Sequence, residues 1–253
     1  MIFDRRRYGK DNYVYLLADG ADAALVDPGD AAAALALASA HGLRPRFVLH
    51  THGHPDHTGG TAEVVRQLGA RVLGGGGDAR WYRPDEDLAG AGELALGALR
   101  LRVHPAPGHT PGSVLYAWEG RLLTGDTLFW GGAGNCRHGG DPARLAETFL
   151  GVVAPLDGGL RVYPGHDYAE ANLPFALDLE PGNAAARAQL EAARAARARG
   201  EEPAATTLAD ERAANPFLRA EELRPELLRR GLPCRDAREA FVALRGLRDA
   251  WRG

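Results

Sequence analysis

The chain has only two cysteines and one lysine in 253 residues, and it has no long apolar run. Each shortage excludes something. Cys136 and Cys234 make no spacing pattern, so neither a disulfide framework nor a CxxC zinc site is available, as expected in a reducing compartment. No apolar stretch approaches the roughly 18 residues of a membrane span. The opening residues, MIFDRRRYGKDNYVY, lack the apolar core of a secretory leader, so the expectation is a cytoplasmic protein that needs no membrane. A net charge of −3 gives no support to bulk nucleic-acid binding. Lys10 is the sole lysine among 30 basic residues, so a position without lysine is not thereby without positive charge. GxSxG is absent and neither cysteine has a histidine motif of its own, which argues against a covalent serine or cysteine route.

What is present divides the chain in two. The length suits one large domain or one domain with an appendage. Up to about residue 168, short apolar runs alternate with short helical segments, the pattern of an α/β fold. Residues 13–18 and 23–26 flank the hairpin signal Asp19-Gly20-Ala21-Asp22. Asp30 can cap a helix that Gly42 ends, and residues 46–50 follow as a buried strand. Residues 61–68 read as a helix, and 71–73, 99–103, 113–118, 121–124 and 161–163 as strands. Asp141 can cap a helix over 142–153. The glycine run Gly74–Gly77 reads as a flexible turn, since no GxxxxGK[ST] follows a strand there. Beyond it all, residues 183–200, 218–230 and 236–252 are rich in helix formers. The last 71 residues carry 14 arginines against 11 acids, whereas the first 182 carry 16 basic residues against 22 acids. The expected division is residues 1–170, α/β, and residues 171–253, helical.

The chemistry-bearing segment is Thr51-His52-Gly53-His54-Pro55-Asp56-His57, directly after a predicted strand. Three imidazoles and one carboxylate within six residues form a donor set for divalent metal, since both groups bind zinc at roughly 2.0–2.2 Å. Gly53 and Pro55 are expected to keep the stretch from being a helix, letting the side chains splay toward more than one ion. Three later residues stand beside glycine at strand ends: His109, Asp126 and His166. Alone, each would suit a helix cap or a core histidine; together they complete a ligand count. Asp27, in Val26-Asp27-Pro28-Gly29, suits a turn as well as a partner for an imidazole, and it is left outside the site. His50 can face the core, and His41, His104 and His138 carry no assignment.

The pattern HxHxDH followed by His, Asp and His resembles the metallo-β-lactamase superfamily. The resemblance implies an αββα sandwich with two metal ions at the strand ends. Position by position, it implies that His52, His54 and His109 hold one ion, that Asp56, His57 and His166 hold the other, and that Asp126 bridges both. Two cations roughly 3.5–4 Å apart activate a water at cellular pH, so no protein nucleophile is required. Asp56 is the candidate catalytic residue, orienting that water. Zinc is the expected metal, with iron or manganese possible on the same ligands.

The segments Gly165–Leu173, Glu180–Ala185, Thr207–Glu211, Asn215–Arg219 and Gly125–Phe129 resemble glyoxalase II, the hydroxyacylglutathione hydrolases. This implies hydrolysis of the thioester S-lactoylglutathione to D-lactate and glutathione. The resemblance extends to Tyr168 as a substrate contact. It also places Arg137 and Arg248 in the substrate region, where the family carries an aromatic residue and an arginine. Asn135 and Trp251 replace the family's lysines, and Arg245 or Arg252 can offer charge from the same helix. Those departures leave open a hydrolase of lactones, β-lactams or another acyl thiol. A mononuclear iron persulfide dioxygenase is a further alternative, although it normally lacks the helical tail.

Overall fold

The computed structural model describes residues 1–252, and its framework is two β-sheets packed face to face. The first sheet runs in sequence order through β1 (Ile2–Tyr8), β2 (Asn12–Asp19), β3 (Asp22–Val26), β4 (Phe47–Leu49), β5 (Arg71–Gly74) and β6 (Glu86–Asp87). Strands β1 to β3 are antiparallel, and the two-residue connection Gly20-Ala21 joins β2 to β3 with Asp19 paired to Asp22. From β3 to β6 the pairing is parallel. The second sheet contains β7 (Glu93–Leu96), β8 (Leu99–Pro105), β9 (Val114–Trp118) and β10 (Arg121–Gly125). After a small hairpin, β11 (Leu128–Phe129) with β12 (Gly132–Ala133), strand β13 (Arg161–Pro164) joins the outer side of β10 in parallel.

Strand β2 shows how the layers form. Val14, Leu16 and Ala18 point to one face and pack with Ala34, Leu37 and Ala38 of α1 (Ala31–Ala40). Short helices intervene next in the chain: α2 (Pro55–Thr58), then α3 (Thr61–Leu68), whose Val64 joins the same cluster. Tyr13, Tyr15 and Leu17 point the other way and pack with Leu101, Val103, Leu115 and Tyr116 of the second sheet. Both faces are covered, which explains why β2 reads as a continuous apolar run rather than an alternating one. Helix α4 (Pro142–Thr148) continues through a π-type turn to Val153 and lies on the outside of the second sheet.

The rest is helical: α5 (Ala169–Leu179), α6 (Ala184–Ala198), α7 (Leu208–Ala214), α8 (Arg224–Arg229) and α9 (Ala237–Ala250). Helix α9 docks on the α4 region through Phe241, whose ring lies 4.8 Å from that of Phe149. Among the described residues, no helix is long and apolar enough to cross a membrane.

Several sequence expectations need correction. Residues 218–230 form a helix only from Arg224, because Pro225 has no N–H to donate and suits the first turn alone. Gly74–Gly77 is not a flexible turn. A Cβ on Gly75 would lie 2.0 Å from the Gly112 carbonyl, and one on Gly74 2.1 Å from the Tyr82 hydroxyl, so the run exists for close packing. Strand β1 carries Arg5, Arg6 and Arg7 and reads as polar, yet it pairs along its whole length as the edge of the first sheet. Helix α5 contains Pro174, which masks it in a sequence reading.

Candidate metal centre

The carboxyl ends of β3, β4, β10 and β13 meet on one edge of the sandwich, and the polar residues that follow them point into one pocket. After β4 comes the loop carrying His52 and His54. Pro55 then opens the four-residue α2, with His54 in the position before its first turn. A proline is tolerated at that first position, so the expectation that Pro55 would exclude a helix fails there. The turn delivers Asp56 and His57 to the side opposite His54. Gly53 is pinned, its N–H donating to Asp78 Oδ2 at 2.7 Å. The buried Asp78 also accepts from Thr110 Oγ1 (2.6 Å) and Gly112 N (2.8 Å), tying the His52 loop to the His109 loop. A register shift between Leu123 and Gly125 ends β10, and Gly125 takes φ +47° to turn Asp126 inward.

All seven groups converge. His109 Nε2 lies 2.9 Å from His54 Nδ1, and His57 Nε2 lies 3.0 Å from His166 Nε2. Asp126 stands between them, with Oδ1 3.4 Å from His57 Nε2 and Oδ2 3.4 Å from His166 Nε2, 3.6 Å from His109 Nε2 and 4.0 Å from His52 Nε2. Asp56 Oδ2 reaches His166 Nε2 at 3.2 Å. The donor atoms fall into three overlapping groups, each within 4.8 Å: His52 with His54 and His109, Asp56 with His57 and His166, and, joining the two, Asp27 with His52 and His57. His50 faces the core instead, its Nε2 paired with Thr61 Oγ1 at 3.0 Å.

These residues fit metal ions. His52 Nε2 and Asp126 Oδ1 are buried without a hydrogen-bond partner, at a cost of roughly 1–3 kcal/mol each in the absence of a ligand. Paired imidazole nitrogens cannot both present lone pairs to each other, whereas both can present them to a cation. The electrostatics agree. Burial lowers the pKa of His109 to about 4 and holds His52 well below its ordinary value, so both rings are neutral, the form that can bind a metal. Burial opposes charge on His166 too, but Asp126, Asp56 and Asp11 outweigh it and raise its pKa to about 11. Asp126 is itself held well below the carboxylate range, because His166, His57 and His52 overcome the effect of its burial. The part of the pocket around Asp126, where carboxylates favour positive charge on His166 despite its burial, is suited to a cation.

The outward nitrogens of the imidazoles are also held. His109 Nδ1 pairs with Asn135 O (2.6 Å), His54 Nε2 with His138 O (3.2 Å), and His52 Nδ1 with Thr51 Oγ1 (3.1 Å). Asp27, left out of the site on sequence grounds, is buried beneath it with φ +52°. Its carboxylate accepts from Thr51 N (2.8 Å) and Thr51 Oγ1 (2.5 Å) and lies 3.3 Å from His57 Nδ1. The turn reading and the imidazole-partner reading are therefore both correct for Asp27. Asp11 and Asp78 were missed, since nothing local in the sequence separates them from turn residues.

Beside the centre lies an open cleft of about 230 Å³, bounded by Phe129, Asn135, Arg137, Tyr168, Arg248 and Trp251. Tyr168 stacks on His166, with centroids 4.6 Å apart and planes at 8°. Arg248 enters from α9 and donates to Ala171 O (3.1 Å) and Asn172 Oδ1 (3.3 Å). Arg137 is exposed and donates to Asp249 O (2.6 Å). Arg245, one turn before Arg248, is buried and committed to Ala133 O (2.8 Å) and Asp249 Oδ1 (2.8 Å).

Two sheets with outer helices and a histidine–aspartate cluster at the strand ends define the metallo-beta-lactamase superfamily, whose family model matches residues 7–168. The model for the hydroxyacylglutathione hydrolase C-terminus matches residues 167–251. The chain belongs to the hydroxyacylglutathione hydrolase family. It is 71% identical to the hydroxyacylglutathione hydrolase of Anaeromyxobacter dehalogenans (strain 2CP-C) over 98% of this chain and 99% of that one. Among solved structures, it resembles the BLEG-1 B3 metallo-beta-lactamase with a TM-score of 0.67 and 26% identity, covering 86% of this chain and 99% of that one. It also resembles TTHA1623 in a di-iron-bound form, with a TM-score of 0.63 and 27% identity over 85% and 99% of the two chains.

Proposed function

We propose that the protein hydrolyses S-lactoylglutathione and related glutathione thioesters to D-lactate and glutathione, at a centre of two divalent metal ions, with zinc as the principal metal. The observation that carries this reading is the pair of donor groups sharing Asp126 next to a cleft walled by the helical region. The relatives named as hydroxyacylglutathione hydrolases support the substrate class. In this reading His52, His54 and His109 hold one ion, Asp56, His57 and His166 the other, and Asp126 touches both. Bound there, the ions would polarise the thioester carbonyl and lower the pKa of water.

The chain's own residues supply the rest. Asp56 is half-exposed, and Asn12 Nδ2 donates to its Oδ2 at 3.1 Å, fixing a carboxylate that can orient the attacking water. Tyr168 walls the thiol side of the cleft and keeps His166 from rotating. Arg248 and Arg137 offer guanidinium groups to the distant carboxylates of the thiol carrier. We divide the chain at about residue 170, with residues 1–170 holding the centre and 171–253 closing the cleft. Two unpaired, half-buried cysteines suit a cytoplasmic setting.

The uncharged Asn135 and Trp251 in the cleft favour one second reading, a related acyl-thiol carrier in place of glutathione. The deciding experiment measures release from S-lactoylglutathione, other acyl thiols, a lactone and a β-lactam, with metals counted on the same preparation. Two ions and fastest turnover of S-lactoylglutathione are expected. A single iron with oxygen uptake, or preference for the lactone or β-lactam, would overturn the proposal.

A further inference from the structure

The imidazoles of the centre are braced unequally. The outward nitrogens of His52, His54 and His109 meet a hydroxyl and two backbone carbonyls, all neutral. Those of the other group face carboxylates: His166 Nδ1 is hydrogen-bonded to Asp11 Oδ1 at 2.9 Å, whereas His57 Nδ1 lies 3.3 Å from Asp27 Oδ2 without a hydrogen bond. Asp11 belongs to the turn between β1 and β2, far in sequence from His166. The two segments are stitched together by backbone bonds on either side, Tyr13 N to Gly165 O (2.9 Å) and Asp167 N to Asp11 O (2.9 Å). The neighbouring Asp167 is neutralised by Arg7 and Arg197, both at 2.7 Å. Asp11 has no such cation. Among the described residues its side chain, about four-fifths buried, hydrogen-bonds to His166 alone.

We propose that Asp11 is a positioning residue for the metal group of Asp56, His57 and His166. By accepting the Nδ1–H of His166 it fixes that ring in the tautomer whose Nε2 lone pair faces Asp126 and Asp56. An imidazole bonded to a carboxylate is also a stronger electron donor than one bonded to a carbonyl. The next residue, Asn12 at the start of β2, holds Asp56 through its amide, so two adjacent residues orient two of the three groups in this half of the centre. The consequence is an asymmetric pair of ions, with the one at His166 dependent on Asp11 and the one at His52 indifferent to it. This inference rests on the two-metal reading above.

The test is competitive metal removal from the zinc-loaded full chain with a graded chelator. Metal is counted at each step, and the imidazole nitrogen resonances of His166 and His52 report which half empties. Asp11→Ala should release one ion 10- to 100-fold more readily, with the His166 signals changing first and the other ion unaffected. Asp11→Asn keeps the shape of the turn, removes the charge and should lose the same ion by at least tenfold, so the proposal stays testable if the alanine variant folds poorly. Equal loosening of both ions, or wild-type retention in Asp11→Asn, would overturn the role given to Asp11 while leaving the two-metal reading intact. A wild-type protein that holds one ion would instead remove that reading and this proposal with it.

Discussion

Gly165→Ala is the most revealing small change available in this protein. A methyl group built on Gly165 would lie 2.4 Å from Asp126 Oδ1 and 2.7 Å from His57 Cε1. Real Cβ contacts stop near 3.0 Å, so Asp126 must retreat by about 0.6 Å, or β13 must move away with His166. Either shift separates groups on which both halves of the proposed centre depend. Misplacement on the scale of 1 Å costs about 10²-fold in rate, and overpacking costs about 1–3 kcal/mol in stability. The expected outcome is loss of bound metal, kcat/KM for S-lactoylglutathione reduced about 100-fold, and a lower Tm. Gly246→Ala is the matched control. That residue lies within α9, an added methyl meets nothing within 4 Å, and the substitution should raise stability by about 0.5–1 kcal/mol at unchanged kcat/KM. If Gly165→Ala kept two ions and turned over within threefold of wild type, the crowding inferred around Asp126 would be wrong.

Asp126→Ala should lose metal and activity together, because its carboxylate lies within 4.0 Å of four imidazoles from both groups; retention of both ions with full turnover would refute the bridge. Arg248→Ala should raise KM more than it lowers kcat, as expected for a contact with the remote end of the substrate, and steady-state kinetics with an unchanged KM would return Arg248 to a purely structural role. Glu211 offers a pH prediction away from the metals: it is fully buried, and burial outweighs its donors Gly131 N, Thr206 Oγ1 and Asn215 Nδ2 to raise its pKa from 4.5 to about 7. The folded protein therefore keeps a proton that the unfolded chain releases, so stability falls between pH 4.5 and 7, by up to about 3 kcal/mol; denaturant melts of Glu211→Gln should show that slope flattened.

What could be read from the sequence, and what could not, follows from where each kind of constraint is written. The seven clustered residues were visible because ligation demands histidine and aspartate, and because strand ends that crowd a pocket demand glycine beside them. Gly125 and Gly165 mark Asp126 and His166 for the same steric reason that makes Gly165→Ala damaging. The hairpin at Gly20 and the helix caps at Asp30 and Asp141 were visible because their hydrogen bonds close within a few residues. Asp11 and Asp78 were hidden because the groups they hold lie 25 to 155 residues away in the chain, so each looks locally like an ordinary turn aspartate, and the same ambiguity left Asp27, named as an imidazole partner, outside the site. Strand β1 was hidden by its arginines, which are tolerable on an edge where charge also discourages further pairing. Arg245 and Arg248 share a helix, a residue type and a border on the cleft, yet Arg245 is buried and committed to Ala133 O and Asp249 Oδ1, whereas Arg248 is only partly buried and reaches Ala171 O and Asn172 Oδ1. Composition cannot separate those two roles; only the path of α9 across α5 and the β11–β12 hairpin does. The proposed metal centre was therefore legible one side chain at a time. Two of its supporting carboxylates, Asp11 and Asp78, became legible only once the fold had brought distant segments together.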